Sequence, residues 1–228
     1  MPPTVHSFYR SNIAPEIIEA QAKVFSHFDV PLKQWKDDTL SHGDWVDQLM
    51  RDSTGEDTVV IADIDAFPLS RAGYNRMVDE AERGIVTGLA QVANHKDPNR
   101  IYAGPMFMAT SRALYQKLGS PKMQRSKDGD VAQALTDAAQ QAGVEVSLTY
   151  PSFAIQPRWA LANRGVFGVG TFYGDSEFFH LFESRKSKSI QLFCAVADGA
   201  ISGTHDFEQY LEIVGQAQKK KRKFLGLF

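Results

Sequence analysis

Two aspartates separated by one residue are the side chains of this sequence best placed to do chemistry. Asp63 and Asp65 stand at the end of a β-branched, apolar run from Thr58 to Ile64, which is typical of a strand buried on both faces. Residues two apart on a strand point the same way, so both carboxylates are expected to face one site. Carboxylates held that close repel each other, and a divalent cation relieves the repulsion. Hard oxygen ligands favour Mg²⁺ or Mn²⁺. The pair therefore predicts a metal site, the alternative being two solvated acids that begin a loop.

The elements that must position this pair alternate along the first two thirds of the chain. Apolar residues recur with strand or helix spacing, and Pro15 and Ser111 are typical of helix starts. The predicted strands cover residues 4–9, 30–35, 58–64, 85–93, 102–108 and 144–150, and the predicted helices cover 15–28, 43–50, 70–83, 111–118 and 130–142. Such alternation predicts an α/β fold with a mixed, mainly parallel sheet flanked by helices on both faces. The pattern weakens from Pro151 onward, and we interpret residues 1–228 as a single domain.

Composition argues against several functional classes. The formal net charge of −2 gives no basis for nucleic-acid binding. The single cysteine, Cys194, cannot form an intramolecular disulfide, and its apolar surroundings indicate a small buried hydrophobe. The sequence has no run of about 18 apolar residues, and residues 1–6 do not resemble a signal peptide. These features predict a cytoplasmic protein.

The run from Val59 to Asp65 resembles the D-x-D strand of GT-A glycosyltransferases, which use nucleotide-sugar donors. The resemblance extends over roughly residues 4–195, and it is to a microbial and phage group of glycosyltransferase-like proteins. It implies that Asp63 and Asp65 hold Mn²⁺ or Mg²⁺ on the diphosphate of the donor. In this interpretation Asp63 helps to hold the metal directly or through ribose and water, and it is also a candidate contact of the nucleotide sugar.

The same resemblance implies further ligand contacts later in the chain. Residues 103–108 are similar to the segment that lies beside the donor sugar, which implies contacts from Gly104 and Pro105. His180 corresponds to the histidine that several such families use as a further metal ligand, although a histidine between phenylalanines is otherwise typical of a core. The glycine–lysine pair that follows this histidine in some families is missing, and Arg185 is the candidate for the diphosphate contact.

An acidic pair at a helix start, near the acceptor in these enzymes, corresponds here to Asp128 and Asp130. Gly129 splits the pair, so the resemblance leaves open which of the two aspartates faces the site. In an inverting enzyme such a carboxylate removes the proton of the acceptor hydroxyl. Alternatively, Asp130 only caps the helix that follows it.

The end of the first predicted strand is a further candidate region, because GT-A enzymes place nucleotide contacts there. Tyr9, Arg10 and Ser11 occupy this position. An arginine can pair with phosphate and a tyrosine can stack on a base, whereas the alternative is an exposed loop. Additional polar candidates near the second predicted helix are His42, Asp44 and Asp47.

The implied reaction is transfer of a sugar from a nucleoside-diphosphate sugar to a hydroxyl of an unknown glycan, lipid or protein acceptor. One alternative is a haloacid-dehalogenase-type phosphatase, which also uses Asp-x-Asp and for which Lys127 and Gly129-Asp130 imitate later elements. Phe67 and Ala134 depart from the phosphatase pattern. The other alternative is a non-catalytic module that binds a sugar nucleotide or a glycan.

Two segments differ from the rest of the chain. The glycine-rich residues 165–171 lack the Lys-Ser/Thr of a phosphate-binding loop and indicate a flexible turn or a close approach to a ligand. The tail from about residue 216 carries five consecutive positive charges at 219–223 and an apolar end at 224–228. That combination predicts peripheral contact with an anionic membrane, or else a solvated helix end.

Overall fold

The structure is a computed structural model that describes residues 2–52, 55–93 and 96–215. The strands are β1 Val5–Tyr9, β2 Leu32–Lys36, β3 Thr58–Asp63, β4 Ala66–Pro68, β5 Val86–Ala93, β6 Asp97–Ser111, β7 Val146–Thr149, β8 Pro151–Ala160, β9 Val166–Tyr173 and β10 Phe178–Leu181. The helices are α1 Pro15–His27, α2 His42–Arg51, α3 Arg71–Glu82, α4 Arg112–Lys117, α5 Gln133–Gln141, α6 Ser187–Ser202 and α7 Phe207–Ile213. Each element predicted before residue 150 is present, with ends shifted by a few residues.

Six strands form the larger sheet, in the order β2-β1-β3-β6-β5-β7. Only β6 runs against its neighbours β3 and β5, while the other adjacent strands are parallel. The sheet is therefore mixed and mainly parallel, as predicted. Its long strand β6 begins earlier than expected, at Asp97.

Strand β3 shows why helices cover both faces of this sheet. Val60 and Ala62 belong to a core cluster with α1 and α3, whereas Val59 and Ile61 belong to a second cluster with α2, α4 and α5. Burying each large apolar side chain stabilises the fold by about 1.5–3 kcal/mol. The strand is consequently apolar at every position from Val59 to Ala62, and it ends at Asp63.

The weakly patterned region after residue 150 forms a second sheet, in the order β4-β10-β9-β8 with antiparallel pairing throughout. Phe67, Phe172, Phe178 and Phe179 are fully or almost fully buried. They join the same core cluster as α1, α3 and α6. This sheet was not predicted, and it is the element that brings the C-terminal half of the chain to Asp65.

Serine side chains cap the starts of α3 and α4, and the cap at Ser111 was predicted. The side chains of Ser70 and Ser111 accept hydrogen bonds from backbone N–H groups at the beginnings of α3 and α4. Asp130, in contrast, does not cap a helix, because α5 begins only after Ala132, which has a left-handed backbone with φ of 65°. The capping alternative for Asp130 was therefore wrong.

The structure bears on the predictions for the glycine-rich segment and Cys194, but not on the prediction for the C-terminal tail. The glycine-rich segment is strand β9, and a Cβ on Gly168 would lie 2.4 Å from the carbonyl oxygen of Ile155, so the close approach is to backbone. Cys194 is only partly buried, on α6. The tail at 219–228 lies outside the described residues. Within the described ranges, no helix is long and apolar enough to cross a membrane.

Candidate metal centre and flanking clefts

The acidic pair lies where the two sheets meet. Asp63 is the last residue of β3, a two-residue turn follows, and Ala66 begins β4. The side chain of Ile64 is buried in the core between the two acids, which directs the neighbouring carboxylates away from the core. Strand register, with Ala66 opposite His180, then brings β10 to this turn.

Three potential ligands converge there. The Nε2 atom of His180 lies 3.5 Å from Oδ1 of Asp65 and 3.8 Å from Oδ2 of Asp63, and one ligand atom from each residue lies within 4.8 Å of the others. These distances exceed a normal N–H···O hydrogen bond of about 2.7–3.2 Å. They suit two ligands that each lie about 2.0–2.3 Å from a shared cation. Two carboxylates and an imidazole thus fit a divalent metal.

Burial shapes the electrostatics of this cluster. The Asp63 side chain is 25% exposed, and burial raises the pKa of its carboxyl. The negative charge of Asp65 raises this pKa further, whereas His42 and His180 act in the opposite direction. The fold therefore holds the Asp63 carboxylate at a free-energy cost, which a cation between the acids would offset.

His180 is almost completely buried. It is 4% exposed, and its ring packs edge-on against Phe182 with centroids 4.2 Å apart. The Nδ1 atom is buried without a hydrogen-bond partner among the described residues. Removing this side chain would therefore also open a cavity.

A second histidine reaches the same carboxylate from the other side. The Nε2 atom of His42 lies 3.4 Å from Oδ1 of Asp63. Its ring stacks on Phe8 and Trp45, at the start of α2 just after the capping residue Ser41. The sequence indicated His42 only as one of three polar candidates near the second predicted helix. Asp44 and Asp47, the other two candidates, instead accept hydrogen bonds from Gln124 and Arg51.

Two polar clefts open on either side of Asp63. The first cleft, about 420 Å³, is lined by Tyr9, Arg10 and Arg185 together with both acids. Its two arginines differ in their partners. The Arg10 guanidinium donates to the carbonyl oxygen of Leu40, whereas exposed Arg185 forms no hydrogen bond or ion pair with any described residue.

Ser11 was predicted to contact the nucleotide but does not line the first cleft. Its N–H and Oγ bond to the Asp38 carboxylate at 2.8 and 2.6 Å. These bonds, with those made by Arg10, join the end of β1 to the loop before α2. Ser11 therefore has a structural partner in the described part of the chain.

The second cleft, about 380 Å³, shares Ser41, His42 and Asp63 with the first. It is also lined by Gln91, Tyr102, Pro105, Arg125 and Asp130. Burial strongly raises the pKa of the Tyr102 phenol, so this hydroxyl remains a hydrogen-bond donor. The cleft consequently offers both hydrogen-bond donors and hydrogen-bond acceptors.

The candidate residues between 104 and 130 differ in whether they line the second cleft. Asp130 lines the second cleft and accepts a hydrogen bond of 3.0 Å from Nε of Arg125. Asp128 and Lys127 are exposed and line neither cleft. Gly104 lies behind the cleft, where an added Cβ would come within 2.5 Å of Oε1 of Gln91.

The sequence matches no protein-family model and no curated protein. Solved structures do match parts of it. A mannosyltransferase from Pyrobaculum calidifontis, in complex with GDP-Man and Mn²⁺, is 16% identical with a TM-score of 0.45. That match covers 65% of this chain and 55% of the mannosyltransferase, so this chain spans about half the length of that protein.

Two further matches represent different transferase classes. Drosophila β1,4-galactosyltransferase 7, a mutant in complex with manganese, UDP-Gal and xylobiose, is 11% identical over 73% of this chain and 71% of its own, with a TM-score of 0.43. The 2-C-methyl-D-erythritol 4-phosphate cytidylyltransferase of Thermus thermophilus is 14% identical over 87% of this chain and 100% of its own, with a TM-score of 0.46. Glycosyltransferases and nucleotidyltransferases thus match at similar levels.

Proposed function

We propose that this protein is a metal-dependent glycosyltransferase that moves a sugar from a nucleoside-diphosphate sugar to an acceptor hydroxyl. The observation that carries this proposal is the convergence of Asp63, Asp65 and His180 at the junction of two polar clefts. A bound Mn²⁺ or Mg²⁺ supplies positive charge where a departing diphosphate becomes more negative. One cleft on each side of that point suits a donor with a nucleotide and a sugar part.

We assign the nucleoside diphosphate to the first cleft. The guanidinium of Arg185 bonds to no described residue and is available to phosphate oxygens, and Tyr9 offers a ring on which a base can stack. Arg10 directs its Nε and Nη2 groups to the carbonyl oxygen of Leu40 and so supports that loop, which leaves it fewer donors for a ligand than Arg185 has. Arg185 is therefore the diphosphate contact in this proposal.

We assign the sugar and the acceptor to the second cleft, because hydroxyl groups need both donors and acceptors. Gln91 and Tyr102 provide amide and phenol groups there. If transfer inverts configuration, Asp130 is the residue that removes the proton of the acceptor hydroxyl. The exposed position of Asp128 gives it no comparable role.

The phosphatase alternative has less support from the geometry. It needs a lysine near the phosphate, and Lys127 lines neither cleft in the described structure. The non-catalytic alternative predicts binding without turnover. Both alternatives are therefore separable from the proposal by assay.

The test is a thermal-shift screen of nucleoside diphosphates with Mn²⁺ or with EDTA, followed by turnover of the sugar nucleotide that binds. We expect stabilisation only with metal, loss of stabilisation in Asp65→Asn, and no loss in the exposed control Asp128→Asn. Slow release of nucleoside diphosphate, even without acceptor, supports transfer chemistry. Stabilisation that survives EDTA contradicts the proposal. Rapid hydrolysis of a phosphomonoester that is lost in Asp63→Asn favours the phosphatase instead.

A further inference from the structure

A fully buried glutamine lies beneath the turn that carries the two acids. Gln21, in the middle of α1, is 0% exposed. Its Nε2 donates to the carbonyl oxygens of Asp63 and Ala66, both at 2.8 Å. Because carbonyl oxygens only accept, the amide nitrogen must face them, which fixes the orientation of the side chain. Both N–H groups of the amide are thereby used.

The other end of this amide is also held. The Oε1 atom of Gln21 accepts a hydrogen bond of 3.0 Å from Nε2 of Gln34 on β2. Gln34 in turn donates to the carbonyl oxygen of Ile18 at 2.9 Å. A buried amide is costly unless it is hydrogen-bonded, and this network meets that cost with well-formed bonds on both ends.

These bonds restrain the backbone on which the acids are mounted. Gln21 binds the carbonyl groups on both sides of the two-residue turn, at Asp63 and at Ala66. The carbonyl of Asp65 accepts from the N–H of Leu181 on β10, at 2.9 Å. Three of the four carbonyl groups in this stretch are thus fixed by residues distant in sequence, so mutual repulsion of the carboxylates cannot easily open the turn.

We propose that Gln21 is a positioning residue of the metal centre, whose amide holds the Asp63–Ala66 turn so that both carboxylates and His180 reach one cation. The inference rests on the proposed metal-dependent function but concerns the chain's own geometry. Hydrogen-bonding partners behind metal ligands commonly change metal affinity by about 10–100-fold when removed. Gln21 acts on the ligands through their backbone and does not touch the cation.

The test measures the affinity for Mn²⁺ alone, by calorimetry and by the electron paramagnetic resonance signal of free Mn²⁺. Gln21→Met keeps the volume of the side chain and removes the amide, and it is expected to weaken binding about 10–100-fold. Val24→Ala is the matched control, because Val24 is equally buried on the same helix and makes no bond to the turn. All proteins are compared at a temperature where circular dichroism shows them folded.

Gln34→Met provides a second variant, because it removes the bonds from Gln34 to Gln21 and to the carbonyl oxygen of Ile18 but leaves the donors to the turn in place. It is expected to weaken Mn²⁺ binding less than Gln21→Met, and it carries the test if Gln21→Met does not fold. Unchanged affinity in the Gln21 and Gln34 variants overturns the inference, as does an equal loss in Val24→Ala. If the wild-type chain itself does not bind Mn²⁺, the proposed metal-dependent function fails as well. If the wild type binds Mn²⁺ and the variants bind it equally well, only the role of Gln21 fails.

Discussion

Replacing Asp63 by asparagine should have opposite effects on the protein with and without metal. Carboxylate oxygens of Asp63 and Asp65 lie within 4.8 Å of each other. At that distance two unit charges repel by about 1 kcal/mol in water and about 3.5 kcal/mol at an effective dielectric constant of about 20. The Asp63 side chain is 25% exposed, so an intermediate value of about 2 kcal/mol is reasonable. Asp63→Asn removes this repulsion from the metal-free protein.

The assay is thermal unfolding at pH 8, in EDTA and in Mn²⁺. In EDTA the variant is expected to melt roughly 4–8 °C above the wild type, since about 1 kcal/mol corresponds to roughly 2–4 °C for a chain of this size. In Mn²⁺ at about 100 times its Kd, the wild type gains about 2.7 kcal/mol, and the variant gains little. The order of the two melting temperatures should therefore reverse or nearly reverse on adding metal.

The pH dependence gives an independent check on the sign. Because burial raises the pKa of Asp63 in the folded state, the folded protein retains this proton at pH values where the unfolded chain has lost it. The corresponding stability is present below the unfolded pKa of about 3.9 and is lost as pH rises through the folded pKa. Metal-free Asp63→Asn should lack this loss. An asparagine variant that melts lower in EDTA, or that gains as much from Mn²⁺ as the wild type, would refute the reasoning.

Three further outcomes are expected. Burial lowers the pKa of His6 to about 4. The free energy of unfolding should therefore fall by up to about 3 kcal/mol as the pH drops from 6.5 towards 4. In urea unfolding, His6→Gln should show a smaller dependence of stability on pH over this range. Arg185→Ala should weaken metal-dependent nucleotide binding about tenfold or more with little change in melting temperature. Arg10→Ala should mainly lower the melting temperature. A thermal-shift titration with nucleotide distinguishes the two effects. In an inverting enzyme Asp130→Asn should reduce turnover about 10²–10⁴-fold, while Asp128→Asn should leave it unchanged in a nucleotide-release assay.

The larger sheet could be predicted because its signals are local. The unbroken apolar run of β3 indicates burial on both faces, and a capping serine such as Ser111 marks a helix start chemically. The second sheet could not be predicted in the same way. Its edge strand β8 contains Pro151 and Pro157 and is half exposed, and β9 contains closely spaced glycines, so neither strand shows regular alternation.

The candidate site divides along similar lines. Asp63 and Asp65 could be predicted as a pair from strand spacing, although β3 ends at Asp63 and Asp65 lies in the turn, where buried Ile64 separates the two acids. His180 depended on resemblance to a family, since a histidine flanked by phenylalanines has the same local pattern as a core residue. Gln21 was missed, because a polar residue on an amphipathic helix is ordinarily solvent-exposed. Only the contact with a turn more than 40 residues away reveals its function.

The pairing of β4 with β10 also has a consequence for how the molecule is made. Residues 66–179 lie between the second acid and the histidine, so the nascent chain holds both acids long before their third partner has been synthesised. Contacts this distant in sequence form late in folding. A cation bound by all three residues would act as a reversible cross-link that closes this long loop, and the entropy of closure increases with loop length. A chelator should then loosen the second sheet from the first, and a protease should cut the released strands before it cuts β3.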